Sequence, residues 1–237
     1  MPDEAEIEQV VTAHHALAAA GQDDLVWGHL ALRDPAGRGV WMKAAGWGFT
    51  EVRPDRVVLV SWDGEVLSGN AKRHLEYPIH AELMRARPDV HCTVHTHANA
   101  ASAFASLEVP LRALNHDGVL FTEPDVPRFT RTGALINSRE LGAALAGTIG
   151  AAPGCLLPRH GLVVAGRSVA HGVMYAVLLA RACRVQLDAL AAGGPKTWSD
   201  REEVLLKREQ CWPDSQIEAG WRHLARQATR TRDEGQQ

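Results

Sequence analysis

Residues 76–99 read EYPIHAELMRARPDVHCTVHTHAN, and the pair His95 and His97 is their centre. The run Cys92-Thr93-Val94-His95-Thr96-His97 is β-branched and apolar, and it follows a helical stretch that stops near Pro88. It predicts a strand, and positions i and i+2 of a strand face the same way. Two imidazoles are thereby set side by side, and imidazole is the commonest side-chain ligand for metals. One strand rarely gives an ion more than two ligands, so a third must arrive from elsewhere. His160, in the turn of LPRHGLVVAG that enters another apolar strand, is the best candidate. A lone histidine in a strand is usually a polar residue bonded to backbone. An HxH pair with a distant RHG turn points instead to a metal site.

Outward from that stretch, periodicity and turn chemistry divide the chain. Residues 4–20 repeat apolar positions at helical spacing, with Ile7, Val10, Val11, His14 and Leu17 on one side and Gly21 as the stop. Strands are expected at 25–33 and 39–43, then at 57–61 and 65–67 around the turn Trp62-Asp-Gly64. The loop Ala44-Ala-Gly-Trp-Gly48 is small enough for backbone to approach a ligand. Helices are expected at 77–87, 98–106, 137–148 and 168–191, with strands at 90–96, 154–157 and 162–165. Asn137 or Ser138 serves as a helix cap, and Gly193-Gly-Pro195 ends the long helix. Residues 202–211 and 215–230 are amphipathic helices, and the tail from 231 is expected to fray. This irregular alternation gives an α/β protein with a central mixed or antiparallel sheet and helices on its faces. Without a Pro/Gly/Ser-rich linker, residues 1–237 read as one domain, with 196–237 a helical C-terminal extension.

Composition bounds the partners. A net charge of −3 offers no basic field for nucleic acid or anionic lipid, and no apolar run is long and uncharged enough to span a bilayer. The four cysteines are scattered with no CxxC pair, and the opening MPDEAEIEQV is acidic where a secretory leader carries positive charge. A cytoplasmic protein is expected, with partners that are neither nucleic acid nor membrane. Twelve histidines are a high count and call for explanation.

With the segments placed, GHLALR (28–33), AAGWG, DRVVLVSWDGEVLSG, HLEYPIHAELMRARPDVHCTVHTH and LLPRHGLVVAG together resemble the class II aldolase/adducin family, over roughly residues 5–192. The resemblance implies a single-domain αβα sandwich around a mostly antiparallel sheet. It implies a homotetramer with its sites near subunit interfaces. It also implies one divalent metal ion per subunit, zinc first and manganese, cobalt or iron after it, held by His95, His97 and His160. The family's proton-transferring glutamate corresponds to Glu76; without the resemblance, that residue is an acid favoured at a helix N-terminus by the dipole.

The departures bear on substrate. Family members that act on sugar phosphates resemble one another in an Asn after the first Gly, a Ser-Gly loop and a Ser-Ser pair. Here His29, Ala45-Gly46 and His74-Leu75 stand at those places. A phosphate needs several hydroxyl or amide donors besides backbone N–H groups. Arg73, His74, His29 and Gly46 offer a different anion site, since a guanidinium suits a planar carboxylate. His80 lies one helical turn after Glu76 and either joins that site or is a satisfied core residue. The histidine variant GHxxxR resembles decarboxylases of hydroxylated aromatic or keto acids. The leading expectation is therefore a metal-dependent carbon–carbon lyase that removes CO₂ from a non-phosphorylated, dihydroxyphthalate-like or keto acid. An aldolase or epimerase acting on a sugar phosphate, an iron-dependent oxygenase and a non-catalytic, adducin-like assembly module are the alternatives. His116 and Asp117 read as a turn, and Trp212 and Trp221 as packing residues or covers for a neighbour's pocket.

Overall fold

A computed structural model describes residues 3–234. In chain order its elements begin with α1 (Glu4–Ala19), β1 (His29–Arg33), β2 (Gly39–Lys43), β3 (Val57–Ser61) and β4 (Val66–Ser68). They continue with α2 (Tyr77–Ala86), β5 (Cys92–Thr96), α3 (Asn99–Ala105), α4 (Arg139–Ile149), β6 (Gly154–Leu157), β7 (Gly161–Gly166), α5 (Val169–Ala191), α6 (Arg201–Cys211) and α7 (Asp214–Glu234). Local signals set most ends. Ser138 accepts the Leu141 N–H, Ser168 the His171 N–H and Asp200 the Glu203 N–H, so each is a helix N-cap. Gly21, at φ +69, closes α1 in the left-handed conformation that favours glycine.

The strands form one seven-stranded sheet in the order β4-β3-β2-β1-β5-β7-β6. Every pairing between them is antiparallel, so the mixed alternative drops out. Side chains alternate across the pleat. Leu30, Leu32, Trp41, Leu59, Val94, Leu162 and Val164 face the layer of α1, α3 and α5, on which α7 packs. Ala31, Met42, Val58, Val60, Val163 and Ala165 face α2 and α4. The result is the expected three-layer sandwich.

Two expectations shift. The first strand begins at His29 and not at residue 25, because Leu25 (φ +49) and Gly28 (φ +47) turn the chain instead of extending it. A side chain at residue 28 would also meet the Phe49 ring at 3.1 Å. Helix α7 continues to Glu234, past the point where fraying was expected, and residues 235–237 lie outside the described part. That helix lies along α1 and α5, with Ile217 and Ala228 buried in the shared core. Trp212 and Trp221 pack against the same core in this chain, and the Trp212 indole donates to the His116 carbonyl at 2.7 Å. Asp117 pairs with Arg181 at 2.9 Å.

Candidate metal centre

The site sits where β5 ends between β1 and β7. His95 is the penultimate residue of β5 and His97 follows one residue beyond its end. The turn from β6 to β7 carries His160 alongside them. The next residue must be glycine, because a Cβ on Gly161 would lie 2.3 Å from the Thr96 carbonyl oxygen. Glu76 heads α2 without capping it. Its Oε1 instead accepts the Ile136 N–H at 2.7 Å, which turns the carboxylate into the cluster.

One ligand atom from each of Glu76, His95, His97 and His160 falls within 4.8 Å of all the others. The Nε2 atoms of His95 and His97 are 3.1 Å apart. Glu76 Oε2 lies 3.7 Å from His95 Nε2, and Oε1 lies 3.6 Å from His160 Nε2. Donors bound at about 2.1 Å to one divalent ion are themselves separated by roughly 3.0–3.5 Å. The four atoms fit such an ion after small adjustments. Tautomers agree with the geometry. His95 Nδ1–H donates to the Leu162 carbonyl at 2.9 Å, and His97 Nδ1–H donates to Asp24 at 2.7 Å. Each Nε2 is thereby left as a lone pair facing the cluster. His160 Nδ1 is buried without a hydrogen-bond partner. Burial raises the Glu76 pKa, but the adjacent His160 and His95 rings, with the Ile136 N–H, outweigh it and hold the carboxyl well below the usual range. Burial and the neighbouring His95 lower the His97 pKa against the pull of Asp24.

Asp24 was not legible in the sequence; an acid in a loop far from the HxH carries no local mark. Its role gives an expected result. Asp24→Asn frees the His97 tautomer and should weaken metal affinity ~10–100-fold, read by competition with a chromogenic chelator.

Glu76, His97 and His160 line a cavity of about 840 Å³, with His95 buried behind them. His29, Gly46, Arg73 and His74 line it, as do Lys72 and Arg159. Arg73 is partly committed. Its Nε donates to the Gly64 carbonyl at 2.6 Å, an Nη donates to the His74 carbonyl at 3.1 Å, and its guanidinium lies 4.1 Å over the Tyr77 ring. His80 is fully buried behind the wall, with Nε2 2.6 Å from His29 Nδ1 and Nδ1 2.5 Å from the Thr93 hydroxyl. It reaches the cavity only through His29.

Behind the same wall lies Lys43, which sequence reading missed. It ends β2 beside a small-residue loop and reads as a solvated charge, yet it is fully buried. Its ammonium donates to the Val26 and Trp47 carbonyls at 2.9 and 2.8 Å and to His74 Nε2 at 2.9 Å. Burial lowers its pKa to about 7, with Glu51 pulling weakly the other way. The unfolded chain therefore binds more protons between about pH 7 and the usual lysine range. Stability should rise with pH across that window by up to ~1.4 kcal/mol per unit. Urea midpoints measured from pH 7 to 10 check this, and Lys43→Met should flatten the slope.

The family model for the class II aldolase and adducin N-terminal domain matches residues 8–187. A 3,4-dihydroxyphthalate decarboxylase of Arthrobacter keyseri is 31% identical over 200 residues, 79% of each chain. A 5-methylthioribulose-1-phosphate/5-deoxyribulose-1-phosphate aldolase of Rhodospirillum rubrum is 25% identical, over 87% of this chain and 91% of its own. The solved L-fuculose 1-phosphate aldolase of Glaciozyma antarctica superposes with a TM-score of 0.86 at 24% identity, covering 99% of this chain and 93% of that one.

Proposed function

Because the chain belongs to the class II aldolase and adducin family, whose matched members include decarboxylases and aldolases, we propose that it is a decarboxylase of a hydroxylated, non-phosphorylated carboxylic acid. The observation that carries this reading is the cavity lining. Among the described residues it holds three cations (Lys72, Arg73 and Arg159), one acid (Glu76), and no serine, threonine, asparagine or glutamine. Guanidinium and ammonium groups suit a carboxylate, while the hydroxyl and amide donors of a phosphate pocket are absent from that wall.

His95, His97 and His160 would hold a divalent ion, with zinc the best match to imidazole donors at this spacing. When bound, the ion supplies Lewis-acid stabilisation of charge. This chain's residues supply the rest. Burial lowers the pKa of His29 well below the usual value and that of His74 to about 3, so both present neutral imidazoles to the substrate. Counter-charge therefore falls to the cations of the wall. His80 fixes the His29 ring from behind, and Gly46 leaves room for substrate. The bond from ring or chain carbon to the carboxyl carbon breaks, CO₂ leaves, and the electron pair stays on the carbon. Glu76, a carboxylate at rest, takes up a proton from the substrate hydroxyl or from water and passes it to that carbon. Oε2 is the oxygen suited to carry it, since Oε1 is taken by the Ile136 N–H.

Release of CO₂ from 3,4-dihydroxyphthalate, lost on chelation, is the expected result, with deuterium from solvent appearing at the vacated carbon. Glu76→Gln should lower kcat ~10²–10⁴-fold. Retro-aldol cleavage of a ketose phosphate with no CO₂ release from hydroxylated acids would overturn the reading.

The reading extends to assembly. Leu25, Trp27, Leu75 and Leu135 are 70%, 54%, 63% and 48% exposed around or beside the cavity mouth. Such an apolar rim supports a homotetramer with the site near a subunit interface, within a single-domain chain extended by α6 and α7. Light scattering on the purified protein tests it.

A further inference from the structure

Arg159 is the residue before His160, and its backbone sits at φ +65. Glycine and asparagine occupy that left-handed region readily; a residue with a long side chain does so at a steric cost. Local backbone preference therefore does not account for an arginine here. Its stem lies on the backbone of Gly133, where an added Cβ would come 3.1 Å from Arg159 Cβ and 3.2 Å from Nε. Side chain and loop are thus fitted to each other along one wall of the cavity. The guanidinium is exposed, and no carboxylate, carbonyl or ring among the described residues engages it. Arg73, by contrast, has spent donors on Gly64 and His74. A strained backbone that presents an unspent, planar, permanently charged fork to the ligand cavity is a recognition device.

We propose that Arg159 is the specificity residue of this cavity, binding a second carboxylate of a planar dicarboxylate while the first end of the molecule lies at the histidine cluster. This rests on the decarboxylase reading and narrows it from hydroxylated acids in general to those carrying two carboxylates. The paired N–H groups of the guanidinium match the two oxygens of a carboxylate in one plane, and loss of such a charged pair costs ~10–100-fold in affinity.

The test uses the full-length, zinc-loaded protein and three probes in titration calorimetry: phthalate, benzoate and inorganic phosphate. Phthalate should bind more tightly than benzoate. Arg159→Gln should weaken phthalate ~10–100-fold, Arg159→Lys should weaken it less, and benzoate should be unchanged by either. Arg159→Gly, which suits the left-handed backbone, should melt no lower than wild type while losing phthalate affinity as Arg159→Gln does. Three results would overturn the proposal. These are phthalate binding wild type and Arg159→Gln equally or not at all; benzoate and phthalate weakening in equal proportion, as a structural role requires; and phosphate being the probe whose affinity follows Arg159. Phthalate lacks the ring hydroxyls and serves purely as a binding probe. Arg159-dependent binding without CO₂ release from dihydroxyphthalate would therefore count against the reaction alone. CO₂ release without such binding would count against Arg159 alone.

Discussion

His160→Ala is expected to leave a folded protein that loses its ion on gel filtration and turns over ~10³-fold or more slowly, since metal charge stabilisation is worth several kcal/mol. The fold should survive because the ring has no partner beyond the cluster. Its Nδ1 bonds nothing, and its Nε2 faces only Glu76 at 3.6 Å. The turn keeps its own fastenings: the Ser102 hydroxyl donates to the residue 160 carbonyl at 3.1 Å, and Gly161 stays in place. Elemental analysis beside a CO₂ assay checks the result. A variant that keeps one ion per chain and full turnover would remove His160 from the site, and the three-histidine account with it.

The second large effect is acid lability. His14, His74 and His80 have pKa values lowered to about 3, with burial the leading cause in each, and burial lowers His29 well below the usual value too. His14 shows the structural reason: its Nδ1–H donates to the Val10 carbonyl while Nε2 accepts the Leu30 N–H, so the folded state has no room for a second ring proton. All four stay neutral in the folded chain and take up protons near pH 6.5 in the unfolded one. Their stability contribution is present in full above about pH 6.5 and is lost as pH falls from there toward about 3. With four protons involved, the slope should approach ~5 kcal/mol per pH unit below pH 6, against a total stability of about 5–15 kcal/mol for a domain. Unfolding between about pH 5 and 4 is expected for chelated protein followed by circular dichroism. An unchanged urea midpoint between pH 6.5 and 4.5 would refute it.

The legible parts of this protein were those written locally. The HxH strand, the RHG turn and a cap at Asn137 or Ser138 are read from a few adjacent letters; the strand stands where expected and Ser138 is the residue that caps. Glu76 was visible only through family resemblance, because an acid at a helix start is ordinarily explained by the dipole. Lys43, Asp24 and the fork at Arg159 were not legible in physical terms. Lys43 is buried because β2 pairs with β1 and β3 beneath the loop that carries His74, which only the finished sheet decides. Asp24 meets His97 across a turn made by two residues at positive φ, one of them a leucine that no turn rule selects. Much of the histidine excess gathers around the cavity. His95, His97 and His160 form the cluster and His29 and His74 stand on the cavity wall, while His14 and His80 lie buried behind it.

The insertion of β5 between β1 and β7 sets when, as well as where, the site comes into being. During synthesis, β1 and β5 can pair as soon as both have left the ribosome, but His95 has no carbonyl to hold its Nδ1–H until β7 docks with Leu162. The same docking event delivers His160. A growing chain therefore presents His95 and His97 without His160 for as long as the intervening residues take to emerge. The four-residue cluster is therefore a late product of assembly, complete only when the last central strand is in place.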